Sequence, residues 1–588
     1  MRSTLISESI ATSREPTAPE TSTRTAVEAA LVAPGADFET SVVPVRGVPT
    51  TVYRNAPTTL AEVFGRAASW GDTAALSYED RTVTWPHYSA MVSRIAGSLV
   101  VDHGVRQGDR VAIAMRNYPE WALSFAAVTC LGAVAVPLNS WWNGEELARS
   151  LADCGACLLF ADGERARLVA EHRSGLPALR TVVEAAPKAH AGDLAWHDIV
   201  AGPVADLGTL AAAISPDDDA TIMYTSGTTG QPKGVVATHR AHTTGLMNIL
   251  YQGALHAATN RARSEPVRPV RTPSQALVGG PLFHISNLPK LYVAAWRGQH
   301  LVFMRRWDAP KAVALIDTLG LDGFAGVPTM VRQLLDEAEA KGTTLPSLRQ
   351  IGTGGAPTPG NQIQRIGRQF RREVLASTGY GLTETTGPMV GIASSDFFAR
   401  PDAAGRPFPV SQVRVVAADG SDAGPGEVGE ARMRGVTLAK GYWNRPDESF
   451  CDADGWFATG DLVTVDEDGF LRIVDRIKDV VLRGGENIYC AEVEGLLATH
   501  PDVIDAAAFG IPHDILGEEV AAAVQVRAGS AIGSAELQRH VAERAAAYKV
   551  PAVLVVRTGP LPRNPAGKVL KSELRASLEA HAAVKEQP

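Results

Sequence analysis

The sequence predicts an α/β fold with parallel sheets, followed by a β-rich segment and a small α+β domain. Short apolar runs such as 111–114 and 133–136 alternate with amphipathic stretches such as 145–152, which is the pattern of strands alternating with helices. Such alternation is typical of parallel sheets covered by helices. From 405 to 475 the chain changes to short strands and tight turns, and beyond 478 strands and helices mix again.

Size, composition and charge exclude several classes of protein. With 588 residues the chain exceeds what one hydrophobic core usually supports, so we expect at least two domains. Hydrophobic residues make up 45% and charged residues 20%, which excludes a chain that is disordered as a whole. The net charge of −8 gives no electrostatic reason to expect nucleic acid or an anionic membrane as a partner. Five cysteines are too few for a disulfide framework, which predicts a reducing, cytoplasmic location.

Three segments carry specific structural expectations. The first forty residues are rich in Ser, Thr, Ala and Glu and lack the apolar run of a signal peptide, so 1–40 is predicted to be a disordered tail. The most apolar stretch, 123–138, is too short to span a bilayer comfortably and predicts a buried helix that runs into a strand. Between 254 and 275 arginines and prolines stand among small residues without a helical or strand period, which predicts a surface loop.

A glycine- and hydroxyl-rich loop, YTSGTTGQPKGV from Tyr224, is the strongest chemical signal in the first half of the chain. Its glycines let the backbone approach an anion closely, its hydroxyls can donate hydrogen bonds, and Lys233 adds positive charge. The loop differs from the Walker sequence because Lys233 follows a proline and precedes a glycine. The pattern therefore predicts a phosphate site outside the class of P-loop NTPases.

Further segments follow in a fixed order along the chain. They are PLFH, GVPTM, GTGGAP, STGYGLTETTG, KGYWNRPDES, GWFATGDLVTVDEDGFLRIVDRIKDVVLRGGENIY and LPRNPAGKVLK. Together with the first loop they resemble the acyl-CoA synthetases of the adenylate-forming superfamily, which also includes peptide-synthetase adenylation domains and firefly-type luciferases. The resemblance covers the chain from about residue 42 to residue 578.

This resemblance implies a division of the chain. A large N-terminal domain over 41–476 would contain two β/α subdomains and a small β-rich subdomain. A hinge near Lys478 would connect it to a small mobile α+β domain over 477–588. The hinge would let the small domain present different faces to one active site.

The resemblance also implies where ATP and magnesium bind. The ATP phosphates are expected on the first loop, at Thr225, Ser226, Gly227, Thr228, Thr229, Gly230 and Lys233. Adenine is expected against Tyr380, with Gly355, Ala356 and Pro357 beside it. Thr383 and Glu384 are expected near the phosphates and Mg²⁺, in keeping with the preference of Mg²⁺ for carboxylate oxygen.

Further roles follow from the same resemblance. Asp461 resembles a ribose-binding carboxylate with Arg476 as its companion donor. Lys568, in NPAGK, resembles a lysine whose ammonium reaches the substrate carboxylate and the α-phosphate during adenylation. His284 resembles a residue between the phosphates and the acyl pocket, and Gly485 one that lets the pantetheine arm of CoA pass.

The implied activity is that of a magnesium-dependent carboxylate–CoA ligase that uses ATP, CoA and a small carboxylic acid. A fatty acid of medium or long chain is the first expectation for the acid. An aryl acid, an acyl-AMP ligase that loads a carrier protein, and a nucleotide binder without activity stay open, as does a homodimer. The chain has Asn287 where many relatives carry glycine, which predicts an altered acyl pocket.

Overall fold

The computed structural model describes residues 18–185, 191–225, 232–264, 272–564 and 567–585. Its α-helices, numbered α1 to α17 in chain order, are Ala18–Val32, Leu60–Gly65, Trp85–Val101, Pro119–Cys130, Gly144–Cys154, Gly163–Ala170, Trp196–Val200, Leu207–Ala211, His239–Arg263, Pro289–Arg297, Ala309–Leu319, Pro328–Ala340, Gly360–Gln369, Ser394–Ala399, Cys490–Ala498, Ser534–Ala542 and Lys571–Lys585.

The strands are numbered β1 to β28 in the same way. They are Thr40–Val45, Val48–Tyr53, Ala74–Tyr78, Arg81–Thr84, Arg110–Ala114, Val134–Pro137, Leu158–Asp162, Thr181–Ala185, Leu194–Ala195, Asp219–Thr225, Lys233–Thr238, Gln275–Val278, His300–Phe303, Gly323–Gly326, Gln350–Gly354, Leu375–Leu382, Gly387–Ala393, Arg406–Pro407, Ser411–Val416, Gly429–Gly435, Gly441–Tyr442, Phe457–Val465, Leu471–Arg476, Val481–Arg483, Glu486–Ile488, Val503–His513, Gly517–Val526 and Val553–Arg557.

Two large mixed sheets hold most of the chain before residue 410. In the described residues one has the order β21-β11-β10-β6-β5-β7-β8-β9, and the other the order β18-β17-β16-β15-β14-β12-β13-β3-β4. The strands at the centre of each sheet are parallel, whereas antiparallel pairs such as β10–β11 and β16–β17 extend the edges. The predicted α/β class with parallel sheets is therefore confirmed.

Local sequence signals account for the elements predicted within these sheets. The runs 111–114 and 133–136 correspond to β5 and β6, and 123–138 contains α4 followed by β6, as predicted. Helix α5 begins at a capping box in which Asn143 and Glu146 satisfy each other's backbone N–H groups. The α5 helix ends at Gly155, whose φ of 59° is the left-handed conformation that glycine adopts without strain.

The β-rich and C-terminal segments also agree with the sequence. An antiparallel sheet of order β19-β20-β22-β23 occupies most of the segment 405–475, whereas β18 and β21 within it join the two large sheets. Beyond it, β24 to β28 form one sheet with α15 to α17, in which β27 pairs antiparallel with β26 and parallel with β28. Within this segment, α16 covers Ser534–Ala542.

The predicted disordered tail over 1–40 is wrong for its second half. Helix α1 occupies residues 18–32 and β1 begins at Thr40. Arg24 of α1 is 7% exposed and forms ion pairs with Glu28, at 2.8 Å, and with Asp396. A buried ion pair of this kind, formed with a residue far along the chain, leaves no trace in local composition.

The predicted surface loop over 254–275 is wrong for its first ten residues. Helix α9 continues to Arg263, and His256, Thr259 and Asn260 are buried on one of its faces. Their i, i+3, i+4 spacing is that of a helix face, but the residues are polar, so no hydrophobic period marks it. In the described part of the chain no helix is long and apolar enough to cross a membrane.

Candidate functional site

A cavity of about 500 Å³ opens where loops of the two large sheets meet the C-terminal segment. Its walls come from residues that follow β5, β6, β12, β13 and β14, and from Arg563, Asn564 and Gly567. Clefts beyond the carboxyl ends of parallel strands are where open α/β sheets usually bind ligands. The architecture therefore places the candidate site at this junction.

Asn117 joins the two sheets at the base of this cavity. Its Nδ2 donates to the carbonyl of Gly280 at 2.8 Å, and its Oδ1 accepts from the N–H of Leu282 at 3.1 Å. Asn117 is 4% exposed, so both hydrogen bonds are shielded from water. The loop after β12 is thereby fixed to the end of β5.

The glycine-rich loop connects two paired strands. Thr225, the last residue of β10, lies opposite Lys233, the first residue of β11. The predicted phosphate-binding residues between them lie outside the described residues; they are Ser226, Gly227, Thr228, Thr229 and Gly230.

Lys233 and Glu384, predicted from segments far apart in sequence, lie in one cluster. The Lys233 ammonium forms an ion pair with Glu448 and lies 5.1 Å from the ring centroid of Tyr442. The Tyr442 hydroxyl donates to Oε1 of Glu384 at 3.3 Å. Burial raises the pKa of Glu384, because the carboxylate loses solvation. Tyr442 thus contacts both predicted phosphate-site residues.

Tyr380, Asp461 and Arg476 form a second cluster. The Tyr380 hydroxyl donates to Oδ2 of Asp461 at 2.7 Å, and Arg476 Nε lies 2.8 Å from Oδ1. Asp461 is 2% exposed, and Arg476 pairs with it across neighbouring strands β22 and β23. Burial and the negative charge of Asp461 raise the pKa of Tyr380, so the phenol stays protonated. The structure therefore brings together three residues predicted for the nucleoside.

The remaining residues predicted around adenine lie on exposed turns. Gly355, Ala356 and Pro357 follow β15 and are exposed, and Gly355 has a φ of 80° that favours glycine. Gly354, directly before them, lines the cavity. Thr383 is partly buried and its carbonyl accepts from the N–H of Thr386 at 3.0 Å.

The Lys568 turn reaches the same cavity from the C-terminal segment. Asn564 fixes the turn, since its Oδ1 accepts from the Lys568 N–H at 2.9 Å and its carbonyl accepts from Gly567 at 2.8 Å. A Cβ on Gly567 would lie 3.0 Å from a methyl group of Val327, so only glycine fits without displacement. Partial burial and the nearby charge of Arg476 lower the pKa of Lys568 to about 8.

His284 lines the cavity as a neutral imidazole. Its Nε2 is buried without a hydrogen-bond partner among the described residues. Burial lowers its pKa to about 4, so the ring is uncharged at neutral pH. His284 is therefore available to donate or accept a single hydrogen bond, but not to supply charge.

Two predicted residues lie apart from the cavity. Lys478 is exposed in a short 3₁₀ helix, Ile477–Asp479, directly after β23. Gly485 is exposed at the turn between β24 and β25, has a φ of 92°, and no atom lies within 4 Å of the position its Cβ would take. In this arrangement Asn564 and Gly567 of the Lys568 turn, rather than Gly485, line the cavity.

A single carboxylate is available for magnesium near the predicted phosphate site. Glu384 is partly buried and carries no ion pair with a basic side chain in the described residues, which suits a hard divalent cation. No group of three or more His, Cys, Asp or Glu suited to a metal occurs in the described ranges. The residues fit a Mg²⁺ held by one carboxylate together with ligand phosphates and water.

The amino-acid sequence matches two protein-family models that cover most of the chain. Residues 63–443 match the model of the AMP-binding enzyme family, and residues 492–568 match that of the AMP-binding enzyme C-terminal domain. The chain belongs to the AMP-binding enzyme family. Of the clusters described, Lys233, Glu384 and Tyr380 fall in the first match and Lys568 in the second.

Curated relatives of this AMP-binding enzyme are CoA ligases of several acids. A feruloyl-CoA synthase from Amycolatopsis sp. is 34% identical over 512 residues, 87% of this chain and 97% of that protein. A long-chain fatty-acid–CoA ligase from Mycobacterium tuberculosis is 33% identical over 85% of this chain and 94% of its own. A 2-succinylbenzoate–CoA ligase from Bacillus licheniformis is 33% identical over 87% and 98%.

The chain is also similar in fold to solved structures of CoA ligases in complex with nucleotides. The o-succinylbenzoate-CoA synthetase of Bacillus subtilis, in complex with ATP and a magnesium ion, has a TM-score of 0.71 and 30% identity, covering 87% of this chain and 98% of its own. An anthranilate-CoA ligase in complex with anthranoyl-AMP has a TM-score of 0.79 and 25% identity, covering 89% and 98%.

Sequence reasoning missed Tyr442, Glu448 and Asn564 as part of the site. All three belong to segments identified by resemblance, KGYWNRPDES and LPRNPAGKVLK, but none was given a role. The pairing of β21 with β11 brings Tyr442 beside Lys233, a contact across more than two hundred residues. An aromatic residue directly after glycine in KGYW was the available signal.

Proposed function

We propose that this AMP-binding enzyme is a magnesium-dependent carboxylate–CoA ligase that uses one site for two half-reactions. An oxygen of the acid attacks the α-phosphate of ATP, which gives an acyl-adenylate and releases pyrophosphate. The CoA thiolate then attacks the acyl carbonyl, AMP leaves, and a thioester forms. The observation that carries the proposal is that Lys568 and Glu384 both lie within electrostatic reach of Asp461 and Arg476, beside a cavity to which the Lys568 turn contributes Asn564 and Gly567.

The proposed roles follow the clusters. Lys233 and the glycine-rich loop would bind the ATP phosphates, and Glu384 would hold Mg²⁺, which supplies charge neutralisation when bound. Tyr380 would lie beside adenine while its hydroxyl, with Arg476, orients Asp461 toward the ribose hydroxyls. Support comes from the buried position of Asp461, whose two oxygens keep lone pairs free for further hydrogen bonds.

Lys568 and His284 would act at the reacting groups. The Lys568 ammonium would lie between the acid carboxylate and the α-phosphate, because one positive charge stabilises two anions as they approach. His284 would contribute a hydrogen bond only, since its imidazole is neutral. The small C-terminal domain would pivot near Lys478 and bring Gly485 to the cavity for the thiol step.

CoA is the proposed acceptor, and the medium- or long-chain fatty acid expected from the sequence stays a prediction. Aromatic walls give an aryl acid specific support as the second candidate: Trp307 lines the cavity and stacks on Phe324 with ring centroids 5.3 Å apart. A carrier-protein acceptor, a homodimer and a cytoplasmic location also stay predictions.

A pyrophosphate-release screen over fatty and aryl acids, with and without CoA, tests the proposal. We expect release that requires ATP, Mg²⁺ and an acid, and an acyl-CoA product in equal amount to AMP when CoA is added. Acyl-adenylate that accumulates with CoA present, and is consumed only by a phosphopantetheinylated carrier protein, would favour the carrier alternative. No release with any acid would contradict the proposal.

A further inference from the structure

A lysine that has no counter-ion among the described residues lies directly behind the wall of the acid cavity. Lys290, on α10, donates from Nζ to Oδ1 of Asn287 at 2.7 Å and to the carbonyl of Ala325 at 2.8 Å. Both acceptors belong to residues that line the cavity. An ammonium has three donors, so two neutral contacts leave one N–H without a partner among the described residues.

This arrangement is energetically unusual for the interior of a protein. Buried charges are normally paired with an opposite charge, because desolvation of an ion is costly. For Lys290 the loss of solvation lowers the pKa to about 8, and no nearby carboxylate offsets it. With this pKa the side chain is mostly charged at neutral pH, and the described residues provide no anion to balance it.

Asn287 is held so that its amide N–H faces away from Lys290. Its Oδ1 is occupied by the ammonium, whereas Nδ2 has only a long contact, 3.3 Å, to Ser286 Oγ. The side chain is 7% exposed and fits against Gly280, where an added Cβ would lie 2.5 Å from Oδ1. Lys290 thus fixes the amide with its donor group free to serve the cavity.

The rest of the cavity wall reinforces this positive character. In the described residues the lining contains Arg116, Arg305, Arg306 and Arg563 but no aspartate or glutamate. Lys290 adds a further positive charge behind this wall, and in the described residues no acidic side chain forms an ion pair with it. A purely aliphatic tail would leave this charge uncompensated.

We propose that the acid bears a second carboxylate, which accepts a hydrogen bond from the Asn287 amide and whose charge is stabilised by the Lys290 ammonium behind that amide. The inference rests on the proposed ligase function, because it concerns the acid bound in that cavity. The reacting carboxylate would lie at the Lys568 end and the second carboxylate at Asn287, in front of Lys290. The substrate class is therefore a dicarboxylic acid, aliphatic or aryl.

Matched acids test this assignment in the full-length enzyme. The kcat/KM for acyl-CoA formation is measured with α,ω-dicarboxylic acids of six to ten carbons and with monocarboxylic acids of equal length. Carboxy-substituted phenylpropanoic acids are compared with phenylpropanoic acid in the same way. A charge-assisted hydrogen bond predicts a preference for the diacid of about ten- to a hundredfold.

Two variants separate charge recognition from packing. Lys290→Met removes the charge at similar length, and Asn287→Asp gives Lys290 a counter-ion of its own with almost no change in shape. Both should reduce the diacid-to-monoacid ratio at least tenfold. If Lys290 had only a structural role, Asn287→Asp would keep or improve its packing. The variant would then leave the diacid-to-monoacid ratio unchanged. Lys311→Met, at an exposed lysine of α11, is the matched control.

The outcomes are distinguishable from failure of the ligase function. Wild-type activity on monoacids without a preference for diacids would overturn the inference and leave the ligase intact. A diacid preference that survives in both variants would also overturn it, since Lys290 would not be its source. If no acid supports ATP-dependent pyrophosphate release, the proposed function itself fails.

Discussion

Replacing Lys568 by alanine should slow adenylation selectively. A unit charge about 4 Å from another contributes about 4 kcal/mol at an effective dielectric constant near 20. Because Lys568 keeps part of its surface exposed, solvent screening reduces this to about 2–3 kcal/mol. We therefore expect Lys568→Ala to lower the adenylation rate about 30- to 150-fold. Thioester formation from supplied acyl-adenylate should stay near the wild-type rate.

The pH dependence provides a second readout of the same charge. The ammonium is present below its pKa of about 8 and is lost above it. The kcat/KM for ATP should therefore fall about tenfold per pH unit above pH 8, since this parameter reports the free enzyme. In kcat the fall should begin at higher pH, because bound phosphates stabilise the ammonium. Lys568→Arg, which stays charged, should show no such fall.

Both readouts use pyrophosphate release without CoA for adenylation and acyl-CoA formation from synthetic acyl-adenylate for the second step. Circular dichroism of the variants checks that they are folded. An alanine variant with wild-type pyrophosphate release would refute the assignment. So would equal loss in both half-reactions, because the charge would then serve a general role.

Three other changes test separate parts of the structure. Glu384→Gln should lower turnover strongly and raise the Mg²⁺ concentration needed for half-maximal rate, because an amide is a poorer ligand for Mg²⁺; an unchanged Mg²⁺ titration would exclude it as a ligand. Lys478→Pro fixes φ near −65° and should impair one half-reaction more than the other, whereas wild-type rates in both would move the hinge elsewhere. Arg24→Met breaks a buried ion pair worth about 3 kcal/mol, so amide hydrogen exchange in α1 should accelerate about a hundredfold; unchanged exchange would show that α1 is held by other contacts.

The elements that the sequence predicted well are those whose burial is apolar and local. Strands β5 and β6 and helix α5 show their period in the chain itself, with caps at both ends of α5. The end of α9 was missed because most of its buried residues are polar: His256, Thr259 and Asn260 accompany Leu255. Helix α1 was missed because Arg24 is stabilised by Asp396, which no local window contains.

The resemblance predicted the individual residues of the candidate site. Which of them contact one another was visible only in the three-dimensional structure. That Tyr380 donates to Asp461 depends on the approach of β16 to β22, and sequence spacing gives no hint of it. Lys290 stands three residues after the recognised departure at Asn287, yet its lack of a counter-ion among the described residues depends on all the elements packed around it. Sequence patterns record which residues are present, but absence of a partner is visible only in the packed structure.

The turn at Gly567 has a consequence for the order of events during turnover. Asn564 and Gly567 form part of the cavity wall, and Gly567 lies against Val327 with room only for a hydrogen atom. An acid bound in this cavity is therefore enclosed by the same segment that delivers Lys568. If the acid binds there as proposed, the small-domain movement expected at the Lys478 hinge would withdraw that wall before a thiol enters or a thioester leaves. Turnover should accordingly slow as solvent viscosity rises, even where the chemical steps themselves are fast.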